Sequence, residues 1–306
     1  MGSDFPESTY TGVLIHNKNH VYISCVSDAL ADQEIDHAAI LRWMDGRWAH
    51  RTTDMSICGM SVVDGSKLSL LNVGVNGKVV EFTFPGENVE FVDRSDDGPS
   101  ELVPLKSVRV VGSHVYIAGM ARRVYRRESP GHWVASDYGV YLPRSERDRG
   151  VGFHAIDGFT EDAMYAVGHG GEIWRFDGQV WEEQSSPTKS VLTCVKCAEG
   201  TTVYAAGLAG AVLRSVDGVA WEIIDHGATE DDFWGMTLFQ NRLYLANNSG
   251  VFLLDEDDLV PVDMKLSRVL TTAYLDSRDG VMWSVGKKDM AYTKDGVLWT
   301  EVAGLF

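Results

Sequence analysis

Three of the acidic groups in this sequence are candidates for partner binding, and the third of them runs directly into two aromatic residues. A field of one charge sign speeds encounter with a surface of the opposite sign, and buried aromatic contacts tend to dominate interface energies. This combination of residue types predicts a surface that binds a basic protein. The residues predicted to form it are Asp28, Asp32, Glu34, Asp36, Asp96, Asp97, Glu230, Asp231, Asp232, Phe233 and Trp234.

Other residues that could carry chemistry do not combine into a catalytic or metal-binding set. His154 and Asp157 could act as a general base and its partner, but side chains three apart on a strand point to opposite faces. Cys194 and Cys197 have the same spacing in a predicted strand, which favours ordinary thiols over a shared metal or a disulfide. The sequence contains no nucleophile elbow, zinc-binding histidine motif or phosphate loop. We therefore expect no catalytic residues, no metal and no cofactor.

A repeat in the sequence indicates the elements that must position the acidic segments. Four strand starts, Tyr165, Tyr204, Tyr244 and Trp283, follow one another at steps of 39, 40 and 39 residues. In three of these units a second strand ends in Asp-Gly and is followed by Trp. Asp-Gly between two apolar runs predicts a tight hairpin, because Gly accepts the positive φ of the turn. A period of roughly 40 to 45 residues is expected of a four-stranded propeller blade.

Looser copies of the strand start, at Tyr22, Leu70 and Tyr116, bring the number of units to seven. The fourth strands close on large residues, which are Trp48, Phe91, Trp133, Trp181, Trp221, Val260 and Trp299. The sequence thus predicts an all-β fold, a single seven-bladed β-propeller domain of four-stranded antiparallel blades over residues 1–306. We place the blades at residues 10–53, 54–95, 105–138, 150–187, 189–226, 231–266 and 267–303. No donated strand is evident, so we expect blade 7 to pack directly against blade 1.

Propeller topology places the acidic segments on connections between strands. With strands a to d running outward, b-to-c loops and d-to-a linkers emerge on one face, and the Asp-Gly c-to-d turns emerge on the other. Residues 27–37 form a b-to-c loop, and the linkers that begin at Asp93 and Asp225 carry the other acidic groups, including Glu101. Long loops on a rigid scaffold often bind partners. The alternative for Phe233 and Trp234 is that they begin strand a of blade 6 and pack between blades.

One basic cluster interrupts the acidic pattern. Arg123 and Arg127 share a strand face with Tyr125, which indicates a solvated or interface patch rather than core. The cluster could bind an anionic group, but we expect it to pair with the acidic loops of its neighbours. Its members are Arg122, Arg123, Arg126 and Arg127 on blade 3, with Arg144, Arg147 and Arg149 in the following linker.

The net charge of −17 and the pI of about 4.8 limit the classes of partner. Binding to nucleic acid needs clustered Lys and Arg to neutralise phosphates, so the charge argues against nucleic acid and against an anionic membrane surface. A basic protein partner is favoured, and solubility alone is the simpler interpretation. Residues 1–10 contain no apolar secretory stretch, and no run approaches the ~20 apolar residues of a spanning helix. We expect a cytoplasmic protein.

Two segments resemble the Asp-box of sialidase-type and related bacterial propellers, each one residue shorter than the family pattern. They are Ser215-Val-Asp217-Gly218-Val-Ala-Trp221 and Thr293-Lys-Asp295-Gly296-Val-Leu-Trp299. A sialidase-like enzyme would need an arginine cluster and a Tyr-Glu pair at the ring centre. Arg109 and Arg268 are candidates for the cluster, but neither a third arginine nor the pair can be assigned. The period alone is also similar to that of WD40-like propellers, without their signature residues.

The sequence therefore predicts a non-catalytic, protein-binding propeller. Among bacterial propellers of this kind, an acidic, single-domain form resembles an inhibitor that caps a basic partner, such as an immunity protein that neutralises a toxin. The alternative is a sialidase-like glycan-binding protein or glycoside hydrolase, which would have a deep axial pocket lined by Arg, carboxylates and Tyr.

Overall fold

The computed structural model of the chain describes residues 6–64, 68–83, 85–100, 103–143, 146 and 150–305. In this part of the chain, 28 strands form seven four-stranded antiparallel sheets, and each sheet consists of four strands that are consecutive in the sequence. This is the predicted all-β architecture of a seven-bladed propeller. The predicted residues Glu101, Arg144, Arg147 and Arg149 lie outside the described residues.

Blades and strands are numbered here in chain order. Blades 1 to 4 contain β1 (Ser8–Asn17), β2 (His20–Ser27), β3 (Ala38–Met44), β4 (Arg47–Thr53); β5 (Ile57–Asp64), β6 (Leu68–Gly74), β7 (Lys78–Phe82), β8 (Glu87–Phe91); β9 (Leu105–Val111), β10 (His114–Gly119), β11 (Val124–Ser129), β12 (His132–Ala135); and β13 (Phe153–Thr160), β14 (Ala163–Gly168), β15 (Ile173–Phe176), β16 (Trp181–Gln184). Blades 5 to 7 contain β17 (Leu192–Cys197), β18 (Val203–Gly207), β19 (Val212–Ser215), β20 (Glu222–Ile223); β21 (Gly235–Phe239), β22 (Arg242–Ala246), β23 (Val251–Asp255), β24 (Asp258–Pro261); and β25 (Tyr274–Arg278), β26 (Val281–Val285), β27 (Met290–Thr293), β28 (Trp299–Glu301).

The chain divides into two compact units. Unit 1 comprises residues 1–56 and 225–306 and holds blades 1, 6 and 7, whereas unit 2 comprises residues 57–224 and holds blades 2 to 5. In each unit the second strands of the blades are almost completely buried, as in β14 and β26. The apolar cores lie between neighbouring blades, such as the cluster around Phe153, Trp174 and Trp181 in unit 2.

In unit 1 the first blade packs on the last one, as predicted. Trp43 of blade 1 meets Trp283 of blade 7 edge to face, with ring centroids 5.2 Å apart. Hydrogen bonds also join the two blades, among them those from Tyr10 N to Lys287 O at 3.0 Å, from Ile15 N to Asp276 Oδ2 at 2.6 Å, and from Trp48 Nε1 to Ala303 O at 3.1 Å. Blade 1 is complete without a strand from elsewhere, because its sheet order is β1-β2-β3-β4.

The recurring Tyr, Asp-Gly and Trp residues are linked by contacts between consecutive blades. In blade 5 the carboxylate of Asp217 accepts hydrogen bonds from Val219 N and Ala220 N, both at 2.8 Å, which closes the c-to-d turn. Tyr165 of blade 4 donates its hydroxyl to Gly218 O in that turn at 3.1 Å. Asp177 and Asp295 make the same pair of backbone contacts in their own turns. The Asp-Gly turns therefore have a structural role.

Gly218 is predicted to be more costly to replace than other turn glycines. Its φ is +75°, and a Cβ there would lie 2.1 Å from the Tyr165 hydroxyl. Gly46 has a similar φ of +78° but has no atom within 4 Å of its Cβ position, so Gly46→Ala isolates the conformational cost. We expect Gly46→Ala to lower the free energy of unfolding by about 1 kcal/mol and Gly218→Ala by about 2–3 kcal/mol. Urea unfolding measures both, and equal losses would contradict the contact with Tyr165.

Candidate partner-binding surface

The blade 1 loop is ordered by a short helix and by a histidine. Helix α1 (Asp28–Ala31) follows β2 in a segment predicted as a loop. After it, His37 donates from Nδ1 to Ile35 O at 2.6 Å and accepts at Nε2 from Ser27 N at 2.7 Å. These bonds close the segment into a fixed loop between β2 and β3.

Two of the predicted acidic residues in this loop have partners within unit 1. Asp28 forms an ion pair with Lys288 of blade 7 and accepts a hydrogen bond from Thr9 Oγ1 at 2.7 Å. The contact with Lys288 and, to a smaller extent, the hydrogen bond from Thr9 hold the pKa of Asp28 below its usual range. Asp36 accepts a hydrogen bond from Ser56 Oγ at 2.5 Å. Asp32, Glu34 and Asp36 are exposed, so the loop presents these three residues to solvent, whereas Asp28 is partly buried.

The linker before blade 6 contains the other predicted residues of unit 1. Asp231 accepts from Ser249 Oγ at 2.7 Å, and Trp234 donates its backbone N–H to Ala246 O at 2.9 Å, so the linker lies along the b-to-c loop of blade 6. Glu230 and Asp231 are exposed, and Asp232 is partly buried. The side chain of Trp234 is 41% exposed.

The prediction of Phe233 as an exposed apolar anchor is wrong. Phe233 is 0% exposed, and its ring meets Phe252 edge to face at a centroid distance of 6.0 Å and His226 at 6.3 Å. The residue fills a pocket of unit 1 instead of facing a partner. It does not begin strand a either, since β21 starts at Gly235.

A segment outside the predicted acidic surface joins these loops. In the linker before blade 7, Thr271 donates from its N and its Oγ1 to Asp289 Oδ2, both at 2.8 Å, and Arg268 reaches Asp289 Oδ1 at 2.7 Å. Although burial of Asp289 acts in the opposite direction, these bonds lower the pKa of its carboxyl. Lys288 donates its backbone N–H to Thr271 Oγ1 at 3.3 Å and pairs with Asp28. In unit 1, hydrogen bonds thus join the linker between blades 6 and 7 to the b-to-c loop of blade 7, and that loop to the b-to-c loop of blade 1.

Asp96 and Asp97 belong to unit 2. Asp96 is exposed, and Asp97 is partly buried and accepts a hydrogen bond from Tyr141 Oη at 2.9 Å. Asp93, in the same linker, faces Arg123 at 3.6 Å. Burial of Asp93 acts to raise the pKa of its carboxyl, but hydrogen bonds from Ser95 and the Arg123 charge hold the pKa below its usual range.

The arginines of blade 3 are not a solvated patch, and that prediction is corrected. The side chains of Arg123 and Arg127 are only 6% and 5% exposed. Each of the four blade 3 arginines pairs with carboxylates of unit 2, as the alternative prediction had it, although half of these six carboxylates are on strands rather than in loops. The pairs are Arg122 with Glu172, Arg123 with Asp93 and Asp137, Arg126 with Glu128, and Arg127 with Glu81 and Glu90.

The residues considered for catalysis have separate partners. Asp157 lies 3.2 Å from Arg109 Nε and 3.3 Å from Lys196 Nζ, whereas the ring of His154 packs at 4.8 Å from that of His169. Arg109 and Arg268, the two candidates for a substrate-binding cluster, are both paired with carboxylates. Within the described residues no three His, Cys, Asp or Glu side chains are grouped so as to hold a metal ion, and no helix has the length and apolarity to span a membrane.

The fold defines the protein as a seven-bladed β-propeller. The WD40 propeller domain of Doa1 matches it with a TM-score of 0.68 at 9% identity, over 96% of this chain and 95% of that one. A virginiamycin B lyase from Staphylococcus aureus matches with a TM-score of 0.64 at 12% identity, over 81% of this chain and 84% of the lyase chain. Likeness at these identities concerns the fold alone.

The sequence itself is similar to the immune protein Tsi7 of Pseudomonas aeruginosa. The two are 34% identical over 300 residues, which is 96% of this chain and 97% of Tsi7. The chain belongs to the family of this immune protein. No family model matches the sequence.

Proposed function

We propose that this protein is an immunity protein that binds a protein toxin and neutralises it by binding, without catalysis. The observation that carries the proposal is the 34% identity to the immune protein Tsi7 along almost the full length of both chains. The separate partners of His154 and Asp157 support the non-catalytic part, because no general-base pair is assembled there. We further propose that the protein acts in the cytoplasm, which cell fractionation would test.

We also propose that the toxin presents a basic surface. The net charge of −17 supports this, since it would attract such a surface over a distance and repel acidic proteins. In unit 1 the exposed carboxylates of Asp32, Glu34 and Glu230 are suited to this role because they face solvent.

A growth assay tests the proposed function. Each toxin that the source organism secretes is expressed in a sensitive host, with this protein or with an unrelated propeller of similar charge. We expect this protein, and not the unrelated propeller, to restore growth against one toxin. Rescue against none of them, at protein levels confirmed in the cells, would contradict the proposal.

The electrostatic part predicts a change in the association rate with that toxin. We expect the triple variant Asp32→Lys, Glu34→Lys, Glu230→Lys to associate about tenfold or more slowly at low ionic strength, with the difference shrinking as salt is added. The triple variant Glu256→Lys, Asp257→Lys, Asp258→Lys in the c-to-d turn of blade 6 changes the net charge equally and is the matched control. Association rates are measured by stopped flow. If they fall equally in both triple variants, the association rate depends on net charge rather than on these loops.

A further inference from the structure

The inference in this section rests on the proposed function and concerns where the toxin binds. We propose that the toxin docks on unit 1 with Trp234 and Val269 as apolar anchors, one on each side of the b-to-c loop of blade 6. The acidic residues would then guide the partner, while these two side chains would hold it. The partner surface is a basic protein surface with an apolar centre.

Val269 is the most exposed of the large apolar side chains described. It is 89% exposed, compared with 41% for Trp234 and 48% for Ile35 in the blade 1 loop. A single exposed valine is ordinary. This one differs because its chain neighbours are fixed on both sides.

The linker around Val269 is held in place from within unit 1. Arg268 pairs with Asp289 at 2.7 Å and with Glu301 at 2.5 Å, and Leu270 on the other side is 7% exposed and belongs to the core between blades 6 and 7. The valine is therefore presented to solvent by an ordered backbone. An anchor that is ordered before binding loses little conformational entropy in the complex, so more of its contact energy appears as affinity.

Hydrogen bonds place the two anchors beside the same loop. Trp234 donates its N–H to the carbonyl of Ala246, the last residue of β22, at 2.9 Å. Thr272 Oγ1 donates to the carbonyl of Asn247, the first residue of the loop between β22 and β23, at 2.6 Å. Val269 is three residues before Thr272, so its backbone lies within about 10 Å of that contact. One partner can thus cover both side chains, since a typical protein interface extends over about 800 Å² on each side.

Charge favours a basic protein as the occupant over a second copy of the chain. Exposed carboxylates precede the anchors in the two linkers, at Glu230, Asp231 and Asp263. Among the nearby cations, Arg268 and Lys288 form ion pairs with Asp289 and Asp28, and Lys265 and Lys287 are exposed. A second copy would bring another net charge of −17 to this surface. A basic partner replaces that repulsion with attraction.

The test uses the purified toxin selected by the growth assay and measures its binding to the full protein by surface plasmon resonance. We expect Val269→Asp and Trp234→Ala each to raise the dissociation constant at least about tenfold, mainly through faster dissociation, and the double variant at least about 100-fold. Val297→Asp, at a valine that is 53% exposed in the c-to-d turn of blade 7, is the matched control and should leave the constant unchanged.

The outcomes separate the inference from the proposed function. If wild-type protein binds the toxin and the double variant binds equally well, the docking site is wrong while the immunity function stands. If wild-type protein binds no toxin, the proposed function fails and the inference fails with it. Circular dichroism melting curves check that each variant is folded. Sedimentation equilibrium that shows a wild-type dimer and a Val269→Asp monomer would overturn the inference by assigning the anchors to a self-interface.

Discussion

Replacing Arg127 with leucine will lower the free energy of unfolding by about 3–5 kcal/mol, because it leaves two carboxylates buried without their cation. The side chains of Arg127, Glu81 and Glu90 are 5%, 8% and 4% exposed. Arg127 lies 3.1 Å from Glu81 and also pairs with Glu90, which in addition accepts from Trp133 Nε1 at 3.0 Å. A loss of this size is a large fraction of the ~5–15 kcal/mol that stabilises a typical folded protein.

Urea unfolding with two further variants identifies the cause of this loss. In the triple variant Arg127→Leu, Glu81→Gln, Glu90→Gln none of these three side chains is charged, so we expect it to be more stable than Arg127→Leu alone. Arg242→Leu is the control for an exposed pair, since Arg242 lies 3.7 Å from Asp255 and the two side chains are 50% and 67% exposed. Arg242→Leu should lower the free energy of unfolding by less than about 1 kcal/mol. A triple variant no more stable than the single one would show that lost packing, and not unpaired charge, causes the effect.

Acidification from pH 7.5 to pH 5 will destabilise the protein through two histidines. Burial, aided by the neighbouring His16 and Arg42, lowers the pKa of His20 to about 4, against the opposing effect of Asp45. Burial, with His169 and Lys106, likewise lowers the pKa of His154 to about 4. An unfolded histidine titrates near pH 6.5, so between about pH 6.5 and 4 the unfolded chain binds more protons than the folded protein. Stability is therefore fully present above pH 6.5 and is lost as the pH falls.

We expect acidification to pH 5 to lower the free energy of unfolding by about 1–2 kcal/mol for each of the two histidines. The measurement is urea unfolding at pH 7.5 and pH 5 for the wild type, His20→Gln, His154→Gln and the double variant. Because only the difference between the two pH values is compared, packing lost on substitution cancels. Each single variant should reduce the difference in the free energy of unfolding between the two pH values. The double variant should reduce it by the sum of the two single effects, since sites without shared contacts are additive. A double variant with the wild-type pH dependence would contradict the assignment.

The repeat could be read from the sequence because its residues contact one another at a fixed interval. Tyr165 bonds to the turn of Gly218 in the next blade, and Asp217 closes that turn, so the aromatic residue, the Asp-Gly pair and the period are one structural unit. The count of seven blades and the positions of the Asp-Gly turns followed from this unit. The packing of blade 7 on blade 1 followed from the absence of a donated strand.

The environment of individual side chains was less predictable, because it depends on residues far away in the sequence. Strand periodicity places Arg123 and Arg127 on one face but does not say what covers that face. The covering carboxylates Glu81 and Glu90 are 46 and 37 residues from Arg127. Phe233 lies in the linker before β21, and its aromatic neighbours include Phe252, which lies 19 residues later on β23. Val269 is not part of the periodic pattern of strand residues, and only its 89% exposure in the structure distinguishes it.

The central claim, neutralisation by binding alone, is tested most directly by titrating a fixed amount of the purified toxin with this protein and measuring the remaining toxin activity. We expect the activity to fall in proportion to the protein added and to reach zero at about one equivalent, independently of incubation time. Complete inactivation by a small fraction of an equivalent, progressing with time, would show that the protein acts as an enzyme and would contradict the account.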